Sequence, residues 1–286
     1  MSIQTDIQAR ADTLPATMRR IASVVLERPQ VVVESTISEL ARACDTSDAS
    51  IVRFCRAIGF NGYPQFKLQL TAELAKESVE STAGAGQYGA DISPNDSLEE
   101  MVQKVAASEI LGIRETLENL DAKALERIIT RIEGAERVVL YGVGASNAGA
   151  QDLAQKLLRI GYTALAFYDA HHALVSAALL GDGDVAIGFS HGGRTKETIA
   201  FLQRAGRSGA FTVAISNSPV SPLAKAADEH LRTAVRETTF RSGAMASRIA
   251  QLTLVDYIFV GVARGHYART VRALQTTHEV VQELRD

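Results

Sequence analysis

The chain has 286 residues and a mass of 30.7 kDa, room for two domains of ordinary size. Hydrophobic residues make up 46% and charged residues 22%, the balance of soluble globular proteins, so a disordered or fibrous chain is excluded. A net charge of −3 argues against general polyanion binding and leaves a local basic face open. Two cysteines, Cys44 and Cys55, are too few for a disulfide scaffold and imply a reducing compartment. No apolar run reaches the ~18 residues of a membrane span. Met1 to Arg20 carries charges throughout and lacks the apolar core of a secretory signal, so a cytoplasmic protein with no membrane partner is expected.

In chain order, Pro15 can open a helix with the apolar stripe Ile21, Val24, Val25 and Leu26, which should end near Pro29. Ile37, Leu40 and Ala41 mark a short helix, Asp45-Thr46 a turn, and Ser47 the N-cap of a second helix. That second helix should bury Ile51, Val52 and Cys55 and stop at Gly59. A further helix is expected over Pro64–Leu74. The stretch SVESTAGAGQYGADISPNDS, residues 78–97, has almost nothing to bury and reads as a linker. It divides an all-helical domain, 1–77, from an α/β domain, 98–286.

After the linker, helices are expected over Leu98–Leu120 and Ala122–Ile132, the second capped by Asp121. Strands then alternate with helices: Arg137–Tyr141, Thr163–Tyr168, Asp184–Phe189, Phe211–Ser216 and Leu231–Val235. Apolar strands separated by helices imply a five-stranded parallel sheet covered on both faces. Two long helices, Ser242–Arg264 and Tyr267–Leu284, close the chain. The face Ile249, Leu252, Val255 and Phe259 of the first reads as core or subunit contact.

Two short helices joined by a tight turn form the core of a helix-turn-helix, with the small Ala41 where the helices cross. The second helix should expose Ser47, Asp48, Ser50, Arg53 and Arg56. Asp48, Ala49, Ser50 and Arg53 would reach base edges, whereas Ser47, Arg56 and Lys67 suit phosphate contacts. Residues 1–80 hold nine Lys and Arg against ten Asp and Glu, so DNA binding and protein interaction both remain open on pattern alone. A weakly basic DNA-binding domain would need dimerisation to gather enough phosphate contacts. The cysteines read as small core residues, since nothing nearby completes a metal set.

Two strand-to-helix turns carry the chemistry of the larger domain. In YGVGASNAG, Tyr141 to Gly149, Gly142 and Gly144 allow a sharp turn, and Ser146-Asn147 begin the next helix. In FSHGGRTKET, Phe189 to Thr198, Ser190, His191, Gly192, Gly193 and Thr195 again set hydroxyl and N–H donors at a helix start. Both turns should face one crevice at the carboxyl ends of the strands and take a small phosphorylated ligand. A dinucleotide site competes, with Asp169 ending the next strand, but Asn147 stands where the third glycine of G-x-G-x-x-G belongs. His171 and His172 read as helix-start surface residues. No metal site, cofactor or catalytic residue is expected.

Ser190-His191-Gly192-Gly193-Arg194-Thr195 resembles the phosphate loop of sugar isomerase (SIS) domains, S-x-S/T-G-x-T. Ser47 to Lys67, of the form S-x-x-S-I-V-R-F-C-R-x-I-G-F-x-G-Y-P-x-F-K, joined to such a domain resembles the RpiR-type transcriptional regulators, as does the closing RSGAMASRIAQL, Arg241–Leu252. The resemblance implies a flavodoxin-like sheet, homodimers or homotetramers, and a regulator of carbohydrate metabolism whose SIS domain senses a phosphorylated sugar and alters operator binding. It implies ligand contacts from Ser146, Ser190 and Thr195; Gly192 departs from the pattern and removes one hydroxyl. It also places Glu237, Arg241 and Ser242 at the ligand's border, with Glu237 the one carboxylate to weigh as a base. The alternatives are a sugar-phosphate isomerase or lyase using the same cleft, and a sensing adaptor that binds protein instead of DNA.

Overall fold

The computed structural model describes residues 3–82, 93, 95–235 and 244–283. By packing, the chain divides into two units: Met1–Glu118 with Ala234–Ala246, and Asn119–Thr233 with Ser247–Asp286.

The first unit is helical: α1 Ile3–Arg10, a 3-10 turn at Ala11–Thr13, α2 Ala16–Glu27, α3 Pro29–Glu34, α4 Ile37–Ala43, α5 Asp48–Ala57, α6 Tyr63–Thr82 and α7 Leu98–Glu118. Arg28, before the proline, leaves helical geometry at φ −139°, ψ 66° and ends α2. Pro29 then restarts the chain as α3, an element the sequence reading left out, because a proline costs nothing at the first helical position. Thr36 and Glu39 form a reciprocal capping box on α4. The turn into α5 places Asp45 at φ +48°, and Arg20 donates to its carbonyl at 3.0 Å. Ile51, Phe54, Cys55 and Ile58 are the buried stripe of α5; Val52, expected inside, lies 100° off this stripe and is half-buried. Phe54 meets Phe66 of α6 edge-on, with ring centroids 6.1 Å apart. Burial raises both thiols, that of Cys55 to about 12, so the two cysteines are inert members of this core.

Helix α6 runs past the expected Leu74 into the first five positions of the predicted linker, since no glycine or proline interrupts the sequence before Gly84. Of the rest of that linker, only Ser93 and residues 95–97 are described. Helix α7, expected with the larger domain, packs with the first unit: Thr5 of α1 donates to the buried Glu115 carboxylate at 2.6 Å.

The second unit contains α8 Ala122–Glu133, β1 Arg137–Gly142, α9 Ala145–Arg159, β2 Ala164–Phe167, α10 Ala170–Ala178, β3 Asp184–Phe189, α11 Lys196–Arg207, β4 Phe211–Ser216, α12 Pro222–Lys225 and β5 Glu229–Arg232. It closes with α14 Tyr267–Gln282 and most of α13 Met245–Gly265. All strand pairs are parallel, in the order β2-β1-β3-β4-β5, the flavodoxin-like arrangement. Val138, Leu140, Val185 and Ile187 face α8, α9 and α13; Val139, Tyr141, Ala186 and Ala214 face α10, α11 and α12. The last strand begins two residues and ends three residues earlier than expected. Its ladder ends at Ser216↔Arg232, and Ala234 turns its N–H to Thr116 Oγ1 of α7 at 3.1 Å instead.

Among the described residues, α13 alone is long and apolar enough to cross a membrane by length and composition. Here it is a core helix, with Ala250, Leu254, Val255, Ile258 and Val262 buried. Of the face expected from sequence, Val255 is inside while Ile249, Leu252 and Phe259 are half-buried, because the buried stripe is turned toward Leu254 and Ile258.

Candidate functional site

In the first unit, α5 presents Asp48, Ala49, Arg53 and Arg56, with Ser47 exposed at its N-cap. Asp48 accepts from Ser38 Oγ of α4 at 2.7 Å, which braces the two helices. Two residues expected on this surface are engaged elsewhere. Ser50 is buried: its hydroxyl lies 3.1 Å from Ser47 Oγ and accepts from Arg53 at 3.1 Å. It therefore orients Arg53. Lys67, half-buried on α6, donates to Ser35 O at 2.8 Å, beyond the carboxyl end of α3, where a cation opposes the helix dipole.

In the second unit, Gly142 pairs with Phe189, so β1 and β3 end level and their two turns leave the sheet side by side. This is the topological switch point, where connections depart to opposite faces. Of the helices that follow β1 to β4, α10 and α12 are capped by the side chains of Asp169 and Ser221. Helices α9 and α11, whose N-caps are Gly144 and Thr195, have no side-chain cap. The Asn147 N–H turns back to Gly144 O at 3.0 Å, and the other first-turn amides are left for another acceptor.

In the turn after β3, Ser190 is buried and its Oγ lies 2.9 Å from Thr195 Oγ1. Two hydroxyls sharing one hydrogen bond keep one O–H to donate. The N–H of Ser190 goes to Ile215 O and that of Gly193 to Ser190 O, so these two amides serve the fold. Gly193 has φ +63°, and a Cβ there would stand 2.2 Å from Ser221 Oγ. Gly192 and His191 are half-buried beside it, and the His191 carbonyl accepts from Asn217 N at 2.8 Å.

In the turn after β1, Gly144 takes φ +60° and Ser146 is half-buried. Asn147, expected as a ligand donor, spends its amide on Gly142 O at 2.8 Å and Phe167 O at 2.7 Å. It staples the ends of β1 and β2 together. His171 and His172 are exposed at the start of α10, where Asp169 accepts from the His172 N–H at 3.0 Å. That bond, with the nearby histidines, holds the Asp169 carboxyl below its ordinary range. Among the described residues no His, Cys, Asp and Glu group could hold a metal ion. Glu237, Arg241 and Ser242 lie outside the described residues.

Two features escaped the sequence reading. The turn after β4 is a third hydroxyl cluster: Ser216 Oγ lies 2.9 Å from His230 Nε2 and 3.3 Å from Ser221 Oγ. Burial lowers the His230 pKa below 6.5. The run SNSPVS, Ser216 to Ser221, was the signal, a hydroxyl-rich strand end like the other two. The second feature is Gln251 of α13, whose Nε2 donates to Ser146 Oγ at 3.3 Å.

Comparison with known proteins agrees along the whole chain. Residues 1–77 match the helix-turn-helix domain of the rpiR family and residues 131–261 the SIS domain. An HTH-type transcriptional regulator of Caldanaerobacter subterraneus subsp. tengcongensis is 40% identical over 275 residues, 96% of this chain and 95% of that protein. One of Haemophilus influenzae is 34% identical over 273 residues, 96% of this chain and 94% of that protein. Among solved structures, the Vibrio vulnificus NanR protein complexed with ManNAc-6P superposes with a TM-score of 0.63 at 30% identity, covering 99% of this chain and 98% of that one. The sugar isomerase domain of the RpiR transcription factor from Sphaerobacter thermophilus gives 0.57 at 26% identity, over 62% of this chain and 97% of its own. The chain belongs to the rpiR family of HTH-type transcriptional regulators, an N-terminal helix-turn-helix joined to an SIS domain.

Proposed function

We propose that this regulator binds operator DNA through α5 and is switched by a phosphorylated sugar held between the turns after β1 and β3. The observation that carries the effector site is the level ending of β1 and β3, Gly142 against Phe189, with a side-chain-uncapped helix and a hydroxyl after each strand. Ser190, Thr195 and Ser146 would hold the phosphate with the amides of Gly192 and Gly144, His191 and Gly193 shaping the loop; Asn147 acts as the staple under it. The NanR structure, similar over the full chain, supports a phosphorylated N-acetylated amino sugar as the first compound to try. On the DNA side, Arg53 would read a base, with Asp48 and Ala49 beside it, while Ser47 and Arg56 meet phosphates.

The domain carrying α5 is not basic, so we take the working form to be a homodimer or homotetramer with paired recognition helices, acting in the cytoplasm where its operator lies. The effector changes operator occupancy only if it binds two arrangements of the assembly with different affinity. Among the described residues, the two turns offer hydroxyls and amides, the groups that hold a phosphate. Fluorescence anisotropy with labelled DNA from upstream of the protein's own operon tests this, with a panel of amino-sugar, hexose, muramic and keto-deoxy acid phosphates at fixed salt. Specific binding moved by one compound is the expected result. Operator occupancy unchanged by every sugar phosphate that binds would refute the switch, and turnover of any of them would revive the isomerase or lyase reading.

A further inference from the structure

Ser146 is reached from behind. Gln251 is 2% exposed on α13, and its Nε2 donates to Ser146 Oγ at 3.3 Å. On α9, the helix of Ser146, Gly149 makes room for Phe189, not for Gln251: a Cβ there would stand 3.1 Å from Phe189 Cε1 but at an ordinary 3.8 Å from Gln251 Cβ. The neighbours of Gln251 on α13, Ser247, Ala250 and Leu254, are buried, so its amide is shielded from water. A polar group there is costly unless it is given a specific partner.

A serine hydroxyl has one proton to donate and two lone pairs. With one lone pair taken by the Gln251 N–H, the Ser146 proton is directed away from α13. An oxyanion accepts hydrogen bonds and donates none, so what it needs from Ser146 is that proton. Resting on the effector site proposed above, we infer that Gln251 is a positioning residue: it holds Ser146 as a donor and biases the crevice toward phosphate dianions over neutral sugars.

The test uses the full chain with inorganic phosphate as the probe, titrated by phosphorus NMR at fixed ionic strength. Gln251→Met, close in length but without a donor, should weaken phosphate binding about tenfold, the scale of one hydrogen bond to a charged group. In a Ser146→Ala background the same change should cost less than twofold, because the group it acts through is gone. Equal losses in both backgrounds would show that Gln251 only supports packing, and would overturn the inference. Gln251→Glu keeps the volume and keeps the test sharp if the methionine variant is unstable. At pH 8 its carboxylate would accept the Ser146 proton, and binding should fall more than tenfold. Relative to the unmodified chain at each pH, binding should recover toward pH 5 as that carboxyl takes up a proton. A Glu variant that binds phosphate like the unmodified chain at pH 8 would overturn the inference. Absence of phosphate binding by the unmodified chain would instead overturn the effector site itself, and this inference with it.

Discussion

Replacing Gly193 by alanine separates two physical costs that the structure locates at one residue. At φ +63° an L side chain costs about 1–2 kcal/mol. The added methyl would also stand 2.2 Å from Ser221 Oγ and 2.4 Å from Ser221 Cβ, so Ser221 must move. Ser221 is the N-cap of α12, accepting from Ala224 N at 3.2 Å, and losing a cap costs about 1 kcal/mol. The sum is about 2–3 kcal/mol, which in a unit of this size lowers the melting temperature by roughly 4–12 °C. Differential scanning calorimetry of the full chain is the suitable assay, read at the transition in which the unit that holds α12 unfolds. In a Ser221→Gly background the overlap disappears and the cap is already lost. There Gly193→Ala should cost only the backbone share, about 1–2 kcal/mol. Equal costs in the two backgrounds would refute Ser221 as the obstacle, and no cost in either would refute the left-handed geometry itself.

Other outcomes follow from single contacts. Arg53→Ala should weaken operator binding by about 1–3 kcal/mol and relax base preference at one position, read by anisotropy against substituted operators; a uniform loss across sequences would make Arg53 a phosphate contact instead. Ser190→Ala removes a hydroxyl and unpairs Thr195, so sugar-phosphate affinity should fall by about 1.5–3 kcal/mol in calorimetric titration while DNA binding without effector is kept. The folded chain refuses His230 a proton that the unfolded chain accepts below pH 6.5, so this residue makes stability fall as pH drops through that value. Urea midpoints measured from pH 7.5 to 5 should decline less steeply for His230→Gln; parallel curves would show that His230 does not contribute.

Local signals carried the reading furthest where one residue sets the geometry by itself. Ser47, Asp121 and Pro15 stand at the helix starts expected of them, because an N-cap or a proline ring acts on its own backbone whatever packs nearby. Strands β3 and β4 have the expected ends, since a strand buried on both faces is an unbroken apolar run bounded by polar residues. Failures came where a specific side-chain or tertiary partner decides, whether near in sequence, as for Ser50, or remote, as for β5 and Asn147. Leu231–Val235 has the composition of a strand throughout, but β5 ends at Arg232 because β4 stops at Ser216, and Ala234 finds Thr116 instead. Ser50 sits where a recognition helix displays side chains, yet its short hydroxyl turns back to Ser47 and Arg53, leaving the longer guanidinium to reach outward. Asn147 looked like a donor for a ligand because its spacing from Gly142 is that of a phosphate turn. Its amide instead meets Phe167 O, 20 residues on and on a neighbouring strand, a contact set by the β1–β2 pairing.

Gln251 shows the same limit from the other side. A glutamine in the middle of an apolar helix carries no sequence signal of what it touches. Only the tertiary approach of α13 to the start of α9 turns it toward Ser146. The turns after β1 and β3 were legible as hydroxyl-rich strand ends because they are short and chemically dense. The group that orients one of their hydroxyls lies 105 residues away, supplied by packing that no local pattern encodes.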